Sequence, residues 1–231
     1  MKLFCMTFAG GTATFFNQLE KWLPSGIEVI KLEYSGHGTR HKEDFYNSFD
    51  ELAEDMLRMI KNVIDNDDDY ALMGYSMGSI SVVEVLRKIL QDEKMSKPSH
   101  VFIAAHEPHT KAELAGFSSG EMDDFVKERT IKFGAVPEKL INNKSFWRMY
   151  LPIYRADYGI IGRYEFEKLN LKSDVPTTVF YSETDTPIDE MRKWSDIFVG
   201  DCQFVEYSGN HFFIQNHSDE IAHVITEKLV K

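Results

Sequence analysis

Short runs of strand-forming residues alternate with helical patterns along most of the chain, and this alternation limits the possible folds more than any other feature. The six runs are Leu3–Phe8, Ile27–Leu32, Ala71–Tyr75, Val101–Ala105, Thr177–Tyr181 and Cys202–Tyr207. Strands that alternate with helices form βαβ crossovers, which pair the strands in parallel. We therefore predict an α/β protein with a mostly parallel sheet of about six strands, flanked by helices.

The best-defined helical segments lie between these runs. Ser48 and Glu51 form a capping box in front of apolar residues at helical spacing. A second helix is predicted from Met77 to about Gln91, and a last one after Ser218. With 231 residues and no Pro/Gly/Ser-rich linker, the chain fits one α/β domain better than two.

The segment from 107 to 170 breaks the alternation, because it separates two strand-like runs by helical patterning alone. Ser118 and Glu121 offer another capping box within it. We predict that this segment is a helical lid inserted into an α/β core, which is formed by residues 1–106 and 171–231.

Two further features of the predicted lid bear on its structure and role. Pro137 is a candidate first residue for a second lid helix. Aromatic residues are frequent from Phe146 to Tyr158, and they either pack a small core within the lid or form a wall for an apolar substrate.

Charge and composition exclude several classes of function. The formal net charge of -11 argues against nucleic-acid binding, which needs net or clustered positive charge. No run is long enough to span a membrane, and Leu3–Phe8 is too short for a signal peptide, so we expect a cytoplasmic protein. Cys5 and Cys202 fall in strand-like runs and are expected to be free thiols.

The segment Gly74-Tyr75-Ser76-Met77-Gly78 matches the G-x-S-x-G pattern of a nucleophile elbow. A buried strand precedes it and an amphipathic helix follows, which is the context that the pattern requires. Glycines on both sides of the serine relieve crowding in the sharp turn, and the helix directs its positive end toward the site. Ser76 is therefore the candidate nucleophile, and an ordinary glycine–serine turn is the alternative.

A serine hydroxyl is a weak nucleophile unless a base accepts its proton, so an active elbow needs a histidine. In hydrolases with this elbow the order along the chain is serine, acid, histidine, and the histidine follows the last strand. Among the eight histidines, His211 occupies that position. His211 is therefore the candidate base.

The acid that orients the histidine is expected in the loop after the fifth strand-like run. Asp185 is favoured because Ser182–Pro187 has the composition of a turn, whereas Asp189 is expected to cap the next helix. Glu107, one strand earlier, is the alternative. The full set of candidates in the loop is Glu183, Asp185, Asp189 and Glu190.

Acyl transfer also requires N–H donors for the negative oxygen of the tetrahedral intermediate. One donor is expected from Met77, which directly follows the nucleophile, and the other from the small-residue loop Phe8-Ala9-Gly10-Gly11. A glycine turn without a ligand is the alternative for that loop.

Nothing in the sequence indicates a metal site. His106, Glu107 and His109 are close together but lack a metal-binding pattern or a further ligand. The acidic run Asp65–Asp69 lacks the glycine and glutamate of a calcium loop and is interpreted as a solvated turn. We predict neither a metal nor a cofactor.

Several segments together resemble one known family, the type II or external thioesterases that accompany nonribosomal peptide and polyketide synthetases. The resemblance covers nearly the whole chain, and its most specific part is Leu151–Tyr158, because general esterases share the elbow but not this segment. The matching segments are Phe8–Gly11, Ser35–Arg40, Gly74–Gly78, Leu151–Tyr158 and Gly209–Phe213.

The resemblance implies an α/β-hydrolase fold and assigns roles to five residues. Ser76, Asp185 and His211 would form the catalytic triad, with Ala9 and Met77 as oxyanion donors. The implied reaction is hydrolysis of acyl thioesters from the phosphopantetheine arm of carrier-protein domains, through an acyl-serine intermediate and without a cofactor.

The chain departs from the family pattern at two positions. Thr7 stands where the family usually has proline, and Ser182 stands where it usually has glycine. Two other functions also stay open: a general carboxylesterase or lipase-like hydrolase, and a catalytically inactive hydrolase-fold binding protein.

A carrier-protein partner requires a surface that an acidic domain can approach. From Glu121 to Lys168 the chain has nine Lys/Arg and eight Asp/Glu, in contrast to the acidic remainder. We expect a monomer that docks carrier domains through this segment and binds neither nucleic acid nor membrane. The alternative is that these charges are ordinary solvated helix faces.

Overall fold

A parallel sheet forms the centre of the molecule. The computed structural model describes residues 1–65, 69–108 and 119–230, without the side chains of residues 119–121. Its strands are β1 (Lys2–Met6), β2 (Glu28–Lys31), β3 (Tyr70–Tyr75), β4 (His100–Ala104), β5 (Thr177–Tyr181) and β6 (Cys202–Glu206). The six strands pair in parallel in the order β2-β1-β3-β4-β5-β6, so the predicted sheet is confirmed.

Helices cover both faces of this sheet. They are α1 (Asn17–Glu20), α2 (Phe49–Lys61), α3 (Met77–Gln91), α4 (Ser119–Lys132), α5 (Lys144–Gly162), α6 (Ile188–Met191) and α7 (Ser218–Leu229). Alternation along β1 places Leu3 and Cys5 in an apolar core with α1 and α7, and Phe4 and Met6 in a second core with α2, α3 and α5. Two separate cores thus hold the sheet from opposite sides.

The strand order determines where a crevice opens. The chain moves from β1 to β2 on one side and then returns to place β3 on the other side of β1. Loops that leave the carboxyl ends of β1 and β3 therefore diverge, and ligands of open parallel sheets bind at such points. The Phe8–Gly11 loop and Ser76 follow these two strands.

The start of α2 shows the predicted capping residues in a shifted arrangement. The Ser48 hydroxyl accepts a hydrogen bond from the Glu51 N–H at 3.2 Å. The Glu51 carboxylate reaches one residue farther back than in the standard box and accepts from the Asn47 N–H at 2.7 Å. Two N–H groups at this helix start are therefore satisfied by side chains.

The connection between β4 and β5 contains α4 and α5. Pro137 does not open the second of these helices, because its extended backbone leads only into a 3₁₀ turn, Glu138–Leu140. Helix α5 begins at Lys144, where the Asn143 side chain accepts from the Phe146 N–H at 2.9 Å. The division of the chain into a core and a lid stays a prediction.

The aromatic residues of α5 pack mainly inward. Trp147, Tyr154 and Tyr158 are at most 8% exposed and belong to the same apolar core as α2 and α3. Phe146 and Tyr150 are stacked with ring centroids 4.7 Å apart. Packing therefore accounts for the buried part of this aromatic segment.

Some sequence predictions fall outside the described residues, namely the helix cap at Ser118, the candidate ligand His109 and the middle of the acidic run, residues 66–68. Within the described ranges, no helix combines the length and the apolar character needed to cross a membrane.

Candidate active site

Ser76 occupies a strained turn between β3 and α3. Its φ and ψ angles are 54° and -117°, a region that non-glycine residues rarely adopt. The turn is held by a hydrogen bond from the Ser76 N–H to the Ala104 carbonyl at 2.7 Å. Backbone strain of this kind raises the serine side chain above the sheet edge, as the elbow pattern predicts.

The two glycines of the elbow are required by close backbone contacts. A Cβ on Gly74 would lie 2.2 Å from the Gly78 carbonyl oxygen. A Cβ on Gly78 would lie 2.0 Å from the Met6 carbonyl oxygen and 2.9 Å from that of Thr7. The first turn of α3 therefore rests directly on the end of β1, where only a glycine fits.

The structure brings Ser76, His211 and Asp185 into one hydrogen-bonded chain. His211 Nε2 lies 2.9 Å from Ser76 Oγ. His211 Nδ1 lies 3.0 Å and 2.9 Å from the two carboxylate oxygens of Asp185. The three residues are separated by up to 135 positions in the chain, so only the fold assembles them.

The contacts of His211 fix its tautomer. Asp185 accepts a hydrogen bond from Nδ1–H, so Nε2 is free to accept a hydrogen bond from the Ser76 hydroxyl. The His211 and Asp185 side chains are only 9% and 7% exposed, and their electrostatic interaction is therefore weakly screened. This arrangement can transfer the serine proton to the ring and stabilise the resulting imidazolium.

The other acid candidates do not contact His211. Asp189 lies in the first turn of α6 instead of capping it, with its side chain 88% exposed and 3.7 Å from Arg192. Glu183 does the capping instead, since it accepts from the first N–H of α6 at 3.0 Å. Glu107 accepts from a threonine hydroxyl at 3.5 Å. Asp185 alone among these carboxylates bonds to the His211 ring.

Three neighbours position the histidine, and no sequence pattern predicts this role for them. The Tyr75 hydroxyl donates to the His211 carbonyl at 2.6 Å. The Phe133 ring is stacked on the imidazole, with centroids 4.4 Å apart. The Ser182 hydroxyl donates to the Gly209 carbonyl at 2.5 Å, so this departure from the family pattern ties the acid loop to the histidine loop.

Of the two residues expected to donate to an oxyanion, Met77 lies on α3 and Ala9 lies in the loop that follows β1. Met77 is the first residue of α3, and its N–H is one of those that a helix leaves without an internal partner. Ala9 is 7% exposed and lies in the tight turn that the Gly11 N–H closes onto the Phe8 carbonyl at 2.9 Å. Because α3 rests on the end of β1, both residues are placed near the elbow.

No group of three or more His, Cys, Asp or Glu side chains suited to a metal ion occurs in the described part of the chain. The His106 ring donates from Nδ1 to the Glu107 carbonyl at 2.5 Å, and the His106 carbonyl accepts from the Trp194 indole at 2.7 Å. His106 therefore makes ordinary structural contacts.

The chain is similar in sequence to known thioesterases. The sequence matches the Thioesterase domain family over residues 1–229. A Rattus norvegicus protein named S-acyl fatty acid synthase thioesterase, medium chain, is 27% identical over 95% of this chain and 83% of its own length. The gramicidin S biosynthesis protein GrsT of Aneurinibacillus migulanus is 24% identical over 99% of this chain and 89% of its own.

Solved structures show the same similarity. RedJ, a thioesterase from the prodiginine biosynthetic pathway of Streptomyces coelicolor, superposes with a TM-score of 0.86 and is 25% identical, covering 99% of this chain and 85% of RedJ. ClbQ from the colibactin pathway superposes with a TM-score of 0.85 over 98% of this chain and 95% of ClbQ, at 21% identity. These neighbours place the fold among the α/β hydrolases.

The contact between Gly78 and Met6 leads to a prediction about stability. We expect Gly78→Ala to lower the free energy of unfolding by about 1–3 kcal/mol, because the added methyl forces β1 and α3 apart. This loss should occur although alanine is the better helix former. Gly26→Ala is the matched control, since no atom lies within 4 Å of its added Cβ. Equal urea midpoints for the two variants would contradict the prediction.

Proposed function

Because the chain belongs to the thioesterase domain family, we propose that it hydrolyses acyl thioesters carried on the phosphopantetheine arm of carrier-protein domains, with Ser76, Asp185 and His211 as its catalytic triad. The chain is a thioester hydrolase by family. The observation that supports the residue assignment is the continuous set of hydrogen bonds from Ser76 Oγ through the His211 ring to Asp185.

In the proposed mechanism the Ser76 hydroxyl attacks the thioester carbonyl carbon while His211 Nε2 takes its proton. The tetrahedral intermediate collapses, the C–S bond breaks, and His211 returns the proton to the leaving thiol. Water then attacks the acyl-serine with His211 again as base, releasing the acid and restoring the Ser76 hydroxyl. Asp185 holds the ring and stabilises its positive charge without exchanging a proton.

The N–H groups of Ala9 and Met77 are proposed to bind the negative oxygen of both tetrahedral intermediates. Their placement at the contact between β1 and α3 supports this role. Such donors act where charge develops, and loss of one typically costs about 10²–10³-fold in kcat. No metal or cofactor takes part in these steps.

The names of the relatives support carrier-bound acyl groups as substrates. GrsT is named for gramicidin S biosynthesis and RedJ for the prodiginine pathway. The rat relative is named for fatty acid synthase and medium chains, which adds a medium-chain acyl group as a second candidate. A panel of acyl-carrier thioesters with matched acyl-coenzyme A and simple esters tests the substrate class. Faster turnover of the simple esters would favour a carboxylesterase.

The proposed site of action is the cytoplasm, and the proposed form is a monomer. Cys5 and Cys202 are free thiols, which suits a reducing compartment. Burial raises the pKa of the Cys5 thiol, which makes it unreactive.

Replacing the nucleophile or its base tests the first assignment. We expect Ser76→Ala to abolish turnover without loss of fold, because the hydroxyl reacts but does not pack. Intact-protein mass spectrometry should show one fluorophosphonate adduct on the parent chain and none on the variant. His211→Ala should slow both labelling and turnover, since Ser76 then keeps its proton. Labelling at another residue would overturn the assignment.

The choice of acid has its own test. We expect Asp185→Asn to lower kcat by up to about 10⁴-fold and to leave more activity than His211→Ala, because the acid orients and stabilises the ring without reacting. Asp189→Asn is the control, since that exposed side chain pairs only with Arg192 at 3.7 Å. A larger loss in Asp189→Asn than in Asp185→Asn would show that the wrong acid was chosen.

A basic groove on the predicted lid supports docking of an acidic carrier domain. Its lining contains Lys127, Lys144 and Arg148 around Trp147 and Leu151, and Lys127 also pairs with Asp124 at 3.4 Å. Lys144 and Arg148 are exposed one turn apart on α5, so their charges face the same direction. In a chain of net charge -11, such a groove offers an acidic partner an attractive approach.

Reversing these charges tests the docking surface. We expect the pair Lys144→Glu and Arg148→Glu to raise the KM for acyl-carrier protein severalfold, with the effect shrinking as salt rises. The KM for a small pantetheine thioester should not change. The control pair is Lys94→Glu and Lys97→Glu, which makes the same charge change before β4, at the opposite end of the sheet from Ser76. Equal losses on both substrates, or none, would exclude this surface.

A further inference from the structure

A second histidine–aspartate pair joins α5 to the loop after β1. Asp157 is 3% exposed, and its Oδ2 accepts from the Gly10 N–H at 2.6 Å. The same oxygen lies 2.9 Å from His37 Nε2. His37 is 1% exposed, and its Nδ1 lies 2.9 Å from the Ser35 carbonyl oxygen. Three distant segments of the chain therefore meet at one carboxylate.

The partners of the His37 ring determine its protonation. Nδ1 faces a carbonyl oxygen, and Nε2 faces a carboxylate oxygen that already accepts from Gly10. Both ring nitrogens therefore face oxygen atoms that can accept, an arrangement that a protonated ring with two N–H donors satisfies fully. Burial lowers the pKa of His37, but the Asp157 carboxylate outweighs this and raises the pKa above its usual value.

This pair differs from the His211–Asp185 pair in the partner of the second ring nitrogen. The Nε2 of His211 faces the Ser76 hydroxyl, which can donate to it, so this ring can take a proton from the nucleophile. Neither nitrogen of the His37 ring faces a hydroxyl that could donate a proton to it, because one faces a carbonyl oxygen and the other a carboxylate oxygen. His37 and Asp157 are both almost completely buried, so this pair is suited to holding other groups in place and not to exchanging protons with a substrate.

The hydrogen bonds around Ala9 fix the backbone on both sides of it. The Asp157 bond to the Gly10 N–H holds the peptide plane that follows Ala9. The bond from the Gly11 N–H to the Phe8 carbonyl holds the plane that precedes it, and this plane contains the Ala9 N–H. The direction of the Ala9 N–H is thus set by both contacts.

Gly10 is also held by a ring from the same helix. Its φ is +75°, and a Cβ there would lie 2.0 Å from the Tyr154 ring. Tyr154 and Asp157 are three residues apart on α5, so they contact the loop from one helix face. Helix α5 therefore supplies both the packing surface and the charged acceptor for this loop.

We propose that Asp157, supported by His37, is a positioning residue that aims the Ala9 N–H at the oxyanion. The proposal rests on the function proposed above. It explains why an acidic residue and a histidine are buried together beside a loop that must resist displacement when charge develops on the substrate. Preorganised donors stabilise an oxyanion because they need no rearrangement during the reaction.

Asp157→Asn keeps the size of the side chain and removes its charge. We expect kcat on a small pantetheine thioester to fall by about tenfold or more for each active site, with KM changed less than about threefold. Active sites are counted by complete fluorophosphonate labelling of Ser76. The labelling rate should also fall, because the phosphonyl oxygen takes the place of the oxyanion, while the final stoichiometry stays that of the parent chain.

Asp123→Asn is the matched control. It removes a carboxylate that α4 contributes to an ion pair with Arg155 of α5, away from the loop after β1. We expect its kcat for each labelled site to equal that of the parent protein. His37→Gln retains a neutral donor toward Asp157 and should give an intermediate loss, which decides the question if Asp157→Asn does not fold.

A purely structural role would give a different result. Both Asp157→Asn and His37→Gln would then lower the melting temperature or the labelled fraction, while kcat for each labelled site stayed at the parent value. That outcome overturns the proposal while leaving the triad assignment intact. If instead the parent protein neither labels at Ser76 nor turns over thioesters, the proposed function itself fails.

Discussion

The close contact between the end of β1 and the first turn of α3 is the constraint on which the site depends. Gly78 lies against the Met6 carbonyl at a distance that no side chain would permit. This contact brings the loop after β1 to the positive end of α3, with Ser76 between them in a strained backbone conformation. The surrounding hydrogen bonds and two apolar cores offset the cost of this strain.

Two buried histidine–aspartate pairs show how geometry assigns different tasks to the same residue types. At His211 one ring nitrogen faces a carboxylate and the other faces the Ser76 hydroxyl, so the ring can take a proton from the serine. At His37 both contacts are to acceptors, and although burial lowers the pKa of the ring, the Asp157 carboxylate raises it above its usual value. Burial strengthens both interactions, because water screens neither pair.

Helix α5 connects several parts of this arrangement. Its inward face carries Tyr154 and Asp157, which contact the loop after β1. Its exposed face carries Lys144 and Arg148, which line the basic groove. A helix inserted between β4 and β5 therefore contributes to the packing of the core, to the setting of the proposed oxyanion donors and to the charge of the outer surface.

The sequence by itself determined the parallel sheet, the start of α2, the limits of α3 and the elbow, because these depend on short-range patterns. Strand periodicity, helix caps and glycine spacing act over a few residues, and the thioesterase resemblance followed from local motifs. Two sequence predictions were wrong. Pro137 was expected to open the second lid helix, but α5 is capped by Asn143. Asp189 was expected to cap α6, but Glu183 accepts from its first N–H.

Only the tertiary structure decided which distant side chains meet. Asp185 and Glu107 were both possible acids in the sequence, and the contact with His211 separates them. The Asp157 contact with Gly10 spans 147 positions, and no local pattern reports such a contact. Hydrogen bonds of this range depend on how strands and helices pack, because packing alone sets the distance between groups that the chain order leaves far apart.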